Sequence, residues 1–105
     1  MGIMSKKNTF YAIIKPYRQD FITNPNEEED KIMGDHFRYL KDLLDQNKLF
    51  FAGPTLIPED PFGVIILQTD TEKEAKKLLE NDPSVKTGIQ KIADLRPIRL
   101  SLTKE

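Results

Sequence analysis

Two stretches of this 105-residue chain, 9–15 (TFYAIIK) and 62–69 (FGVIILQT), are rich in aromatic and β-branched residues and have strand length. Each is apolar on both faces when read with a period of two. In the first, Phe10, Ala12 and Ile14 oppose Tyr11 and Ile13; in the second, Val64 and Ile66 oppose Ile65 and Leu67. Strands of that kind belong at the centre of a sheet with apolar cover on both sides. A chain this short makes one domain and buries roughly two-thirds of its unfolded surface, so that cover is scarce.

The remaining segments supply only half of it. Pro16 ends the first strand, and a polar loop runs over 17–26. Asn26 and Glu29 have capping-box spacing, and the acidic run 27–30 suits a helix N-terminus. Ile32, Met33, Phe37, Leu40, Leu43 and Leu44 then keep helical spacing to about Asn47. Residues 49–56 read as a strand interrupted by Gly53-Pro54, which places it at a sheet edge. After a turn at 58–61 and the strand at 62–69, Thr71 and Glu74 form a second capping box, and Ala75, Leu78 and Leu79 give its helix an inner face. Asp82-Pro83 is an N-cap and N1 pair for one more turn, which Gly88 stops. Residues 92–102 close the chain as a strand, with Ile98, Leu100 and Leu102 alternating against Arg99 and Ser101.

The order β-α-β-β-α-β predicts an α+β, ferredoxin-like fold with a four-stranded antiparallel sheet, the two-sided strands in its centre. Both helices cover one face. For the other face the expectation is a second copy of the chain, a homodimer through the sheet face, with a curled sheet partly covered by the N-terminal tail as the alternative. The domain is expected over 9–105, after a flexible tail at 1–8.

Composition excludes several classes of function. Sixteen basic residues are interleaved with 17 acidic ones, giving a formal charge of −1 and no basic face for nucleic acid or anionic membrane. There is no cysteine, hence no disulfide, thiolate zinc site or cysteine nucleophile. No apolar run reaches a membrane span or a signal-peptide core, and the expected location is cytoplasmic. One histidine makes no metal constellation, and neither a glycine-rich phosphate loop nor a GxSxG elbow is present. No cofactor and no metal are expected.

What is left is His36. It lies three and four residues from Met33 and Ile32 and four from Leu40, on or beside the apolar stripe of the first helix. Histidine is the side chain suited to exchange protons near pH 7. Position alone favours a hydrogen-bonded histidine flanking the core. A carboxylate partner would change that by holding the imidazole in one tautomer. Asp82 is a candidate, since it follows the second helix on the same sheet face, although an Asp before Pro also serves as a plain helix cap.

The residues His36-Phe37-Arg38-Tyr39-Leu40, Leu43-Leu44, Ala52-Gly53-Pro54, Asn81 to Val85 with Gly88, and Leu95-Arg96-Pro97 together resemble the YCII (YciI-like) family. The opening Tyr11 to Pro16 fits the same pattern, so the likeness runs over nearly the whole chain. The resemblance implies a dimeric α+β barrel and a histidine–aspartate pair, here His36 and Asp82, in a pocket between the first helix and the sheet. It also implies, for some members, lyase-like (dehydrochlorinase-like) action on chlorinated aromatic diols. The polar segment 19–29 maps onto no family pattern.

The expected function is therefore acid–base chemistry of lyase or isomerase kind on a small substrate, without a cofactor. His36 is the acid or base and Asp82 its orienter. Pocket walls are expected from Tyr11, Ile13, Phe37, Leu40 and Phe51, with Gly53 and Pro54 at the rim and Tyr11 or Arg96 holding a substrate oxygen. The alternative is a dimeric module that binds a small ligand in the same pocket without turning it over.

Overall fold

The structure is a computed structural model and describes residues 8–21 and 23–104. In chain order the elements are β1 (Asn8–Pro16), a single 3-10 turn (Gln19–Phe21), α1 (Glu27–Asp45), β2 (Leu49–Pro54), β3 (Gly63–Thr69), α2 (Glu72–Glu80), α3 (Pro83–Lys86) and β4 (Gln90–Ile98). The sheet order is β2-β3-β1-β4, and every pair is antiparallel. The two strands that are apolar on both faces are the central ones. Of the tail expected over 1–8, residues 1–7 lie outside the described residues, and Asn8 opens β1 opposite Thr69.

Local chemistry accounts for most boundaries. At α1 the Asn26 side chain accepts from the Glu29 amide at 2.8 Å, and the Asn26 amide donates to Glu29 Oε1 at 2.9 Å. At α2 only half the reciprocal bonding forms. Thr71 Oγ1 accepts from the Glu74 amide at 3.1 Å, but the Glu74 carboxylate reaches past Thr71 to the Asp70 amide. Asp82 caps α3, Pro83 is its first residue, and Gly88, at φ 85°, turns the chain into β4 in a conformation that favours glycine.

Two expectations need correction. The last strand runs from Gln90 to Ile98, not over 92–102. Among the described residues its only neighbour is β1, whose pairing with it ends at Thr9 and Ile98, so Leu100 and Leu102 have no ladder to join there. The polar loop over 17–26 also contains the 3-10 turn, which buries Phe21 with its ring 6.0 Å from that of Tyr17.

Helices α1 and α2 lie on one face of the sheet. Beneath them Phe10, Ala12, Ile14, Ile65 and Leu67 are buried together with Leu43, Ala75 and Leu79. Truncating Leu67 or Leu79 to Ala would cost about 2–5 kcal/mol, the usual range for a core leucine. The register carries the row Ala52, Ile65, Ala12, Leu95 across this face. The next row, Phe51, Ile66, Tyr11, Arg96, points to the side without helices.

Candidate active site

Along α1, Met33, His36, Phe37, Leu40, Lys41 and Leu44 recur at intervals of three and four residues and form one stripe. The stripe faces β2, the start of β3 and the connection between them, enclosing a cleft of about 550 Å³. Opposite it stand Ala52, Gly53, Pro54 and Phe62, with Ile14 and Ile65 of the central strands. Gly63 also lines the cleft and packs closely on the central strand, since a Cβ there would stand 3.2 Å from Ile14 Cγ1. The walls are mainly apolar, and His36, Lys41, Thr55 and Gln90 contribute the polar atoms.

His36 enters from the middle of α1, and its side chain is 13% exposed. Its Nδ1 lies 2.7 Å from Oδ2 and 2.9 Å from Oδ1 of Asp82, which is 1% exposed. The aspartate is held from behind. Its Oδ1 accepts the Ser84 amide at 2.9 Å, which is the α3 cap, and Ser84 Oγ lies 2.9 Å from the same oxygen. One carboxylate thus starts a helix and meets the imidazole at once. A carboxylate on Nδ1 calls for the proton there, which leaves Nε2 as the basic nitrogen of the neutral ring. Nε2 has no hydrogen-bond partner among the described residues, and His36 lines the cleft.

Tyr39, immediately before Leu40 of the cleft stripe, donates to the Leu78 carbonyl at 2.7 Å and ties α1 to α2. Burial and the nearby Asp82 carboxylate raise its phenol above the ordinary tyrosine range.

Of the residues named from sequence, His36, Phe37, Leu40, Gly53 and Pro54 line the cleft, and Asp82 stands behind His36. Tyr11, Phe51 and Arg96 do not. They occupy one cross-strand row on the opposite face, where Ile13 also points, and Arg96 Nε pairs with Asp94 at 2.8 Å. A strand apolar on both sides carries no mark of which side the helices will take. Sequence reasoning missed Met33, Lys41, Leu44, Ser84 and Gln90. Helical spacing from His36 and Phe37 picks out the first three, whereas nothing local to Ser84 or Gln90 announces a site.

Among the described residues, no three His, Cys, Asp or Glu side chains gather as a metal site. No helix among them is long and apolar enough to cross a membrane.

No curated protein matches the chain in sequence. Among solved structures, it resembles 5-chloro-2-hydroxyhydroquinone dehydrochlorinase (TftG) from Burkholderia phenoliruptrix AC1100, in complex with 2,5-dihydroxybenzoquinone. The two are 22% identical, with a TM-score of 0.58 over 86% of this chain and 91% of that one, a likeness of fold. The model of the YCII-related domain matches residues 9–99, from the first rungs of β1 to just past the end of β4. The chain belongs to the YCII-related domain family.

Proposed function

We propose that this protein is a small acid–base enzyme of lyase or isomerase kind, with His36 moving the proton and Asp82 holding the ring. The supporting observation is the direction of the imidazole. Nδ1 is engaged by a buried carboxylate, and Nε2 is left for whatever fills an apolar cleft. In the cycle, Nε2 takes a proton from a substrate O–H or activated C–H. The electron pair left behind expels a leaving group or shifts along the carbon skeleton, and the imidazolium, stabilised by Asp82, later releases the proton. A dehydrochlorination fits this scheme, because it removes H⁺ and Cl⁻ with no change of oxidation partner and no cofactor.

Phe37, Leu40, Gly53 and Pro54 would hold a flat, largely apolar molecule against the stripe of α1. The fold likeness to a dehydrochlorinase makes 5-chloro-2-hydroxyhydroquinone the first compound to try. Chloride release from it should fall 10²–10⁴-fold in His36→Ala, the usual contribution of a positioned acid–base residue. Equal release by the variant and the parent would end the proposal. Saturable binding with no product would point instead to a binding module.

We also propose a homodimer through the uncovered sheet face. Phe51, Ile66 and Tyr11 lie side by side there, beside Ile13 and the exposed Ile98. Light scattering should return twice the 12.1 kDa chain mass at micromolar concentration, and the mass of one chain would refute it.

A further inference from the structure

Of the polar side chains lining the cleft that the acid–base scheme leaves without a task, Lys41, Thr55 and Gln90, only Gln90 is buried. Gln90, the first residue of β4, lines the cleft and is 5% exposed. One end of its carboxamide meets Ser84 Oγ at 2.9 Å, and the other end has no hydrogen-bond partner among the described residues. No buried side-chain nitrogen or oxygen among them lacks a partner, so the unpaired end is open to solvent, on a residue that lines the cleft.

The proton count decides which end that is. Ser84 Oγ lies 2.9 Å from both Asp82 Oδ1 and the Gln90 amide, and 3.3 Å from His36 Nδ1. A hydroxyl has one proton to give. If Ser84 donated to a Gln90 carbonyl, its oxygen and the Asp82 carboxylate would face each other with no proton between them. With the carboxamide turned over, every group is served. The Gln90 NH₂ donates to Ser84 Oγ, Ser84 donates to the charged Asp82, and Asp82 accepts from His36. That arrangement presents the Gln90 carbonyl oxygen to the cleft.

We propose that Gln90 is a ligand-contacting residue whose carbonyl accepts a hydrogen bond from the molecule in the cleft. It would sit one hydroxyl away from the aspartate that orients His36. Neutral His36 Nε2 is an acceptor too, so the cleft favours a ligand with two O–H or N–H donors. One donor is the group that His36 deprotonates, and the second is read by Gln90. Ser84 keeps the two acceptors in register, since its single hydroxyl bonds to both chains of support. The assignment rests on the cleft being the ligand site, as proposed above, and not on turnover.

The test compares two probes of nearly the same shape, catechol and 2-methoxyphenol, titrated into the full chain and followed by amide chemical shifts. The parent protein should bind catechol roughly five- to tenfold more tightly, the worth of one buried hydrogen bond. Gln90→Leu should erase that preference by weakening catechol alone, and Gln90→Met provides an unbranched second variant should Leu disturb β4. Ser84→Ala, with circular dichroism unchanged, should fall in between. A parent protein that shows no preference, favours the methoxy compound or binds neither probe overturns the proposal. So does a Gln90 variant that weakens both probes equally. A Gln90-dependent preference in a protein without turnover would end the catalytic reading and leave this one standing; His36-dependent turnover without a Gln90 effect would do the reverse.

Discussion

Two carboxylates are buried among the described residues of this domain, and both belong to helix starts. Glu29, 2% exposed, closes the capping box of α1; Asp82, 1% exposed, caps α3. Their partners differ. Glu29 is saturated: Arg18 NH2 lies 2.6 Å from Oε1 and Arg18 Nε 3.1 Å from Oε2, while Tyr17 donates to Oε2 and the Asn26 amide to Oε1. Those partners fix the segment before α1 and leave no atom of the group to do chemistry. Asp82 instead supports an imidazole whose far nitrogen has no hydrogen-bond partner among the described residues, on a residue lining an apolar cleft. Burial of a carboxylate is common to both, so burial is not the signal of a site. What differs is the free lone pair on the partner of Asp82.

Paired amide substitutions break the comparison most directly. Asp82→Asn keeps a good cap residue, because Asn and Asp start helices about equally well. It removes the charge that stabilises the imidazolium, so turnover of any confirmed substrate should fall about 10²–10⁴-fold with the melting temperature nearly kept. A variant with parental turnover would put Asp82 in the same purely structural class as Glu29.

Glu29→Gln is the counterpart, since Gln also completes a capping box. It leaves Arg18 beside a neutral partner, so the denaturation midpoint should drop while turnover per folded molecule stays. Lost turnover at unchanged stability would reverse the assignment of the two carboxylates.

Acid should separate them further. The Arg18 hydrogen bonds, followed by those of Tyr17 and the Asn26 amide, lower the Glu29 pKa from 4.5 to about 2. A carboxyl whose folded pKa is depressed stabilises the fold fully above its unfolded pKa. That contribution is lost as pH falls from about 4.5 through about 2. Chemical denaturation across this window should show a fall in stability that is shallower in Glu29→Gln. Equal slopes would remove Glu29 from the acid response.

The smallest expected effect is at Tyr39→Phe, which deletes one hydrogen bond between α1 and α2. It should cost about 1 kcal/mol, measured by urea unfolding, with the His36–Asp82 pair intact. A several-fold loss of turnover would show that α1 needs this tie to hold His36 in place.

Much of the fold was legible because it rests on local chemistry. Asn26 with Glu29, Asp82 with Pro83, and Gly88 mark their helix ends by side-chain reach and backbone conformation within a few residues. The stripe through Met33, His36, Phe37 and Leu40 follows from helical periodicity alone. Long-range partners were not legible in the same way. Glu29 read as a cap residue only, and nothing in the sequence says that Arg18 and Tyr17 fold back onto it. Ser84 and Gln90 are six residues apart on different elements, and only the turn at Gly88 brings them together.

The sequence by itself determined the order of elements, the central place of the two-sided strands and the position of His36 beside the core stripe, because periodicity and capping are properties of neighbours along the chain. Tertiary structure alone decided which sheet face the helices cover. That choice sent Tyr11, Phe51 and Arg96 to the far side and set Asp82, Ser84 and Gln90 behind and beside His36. The physical reason is the pleat. Alternation tells which residues share a face, and only packing tells which face is inside.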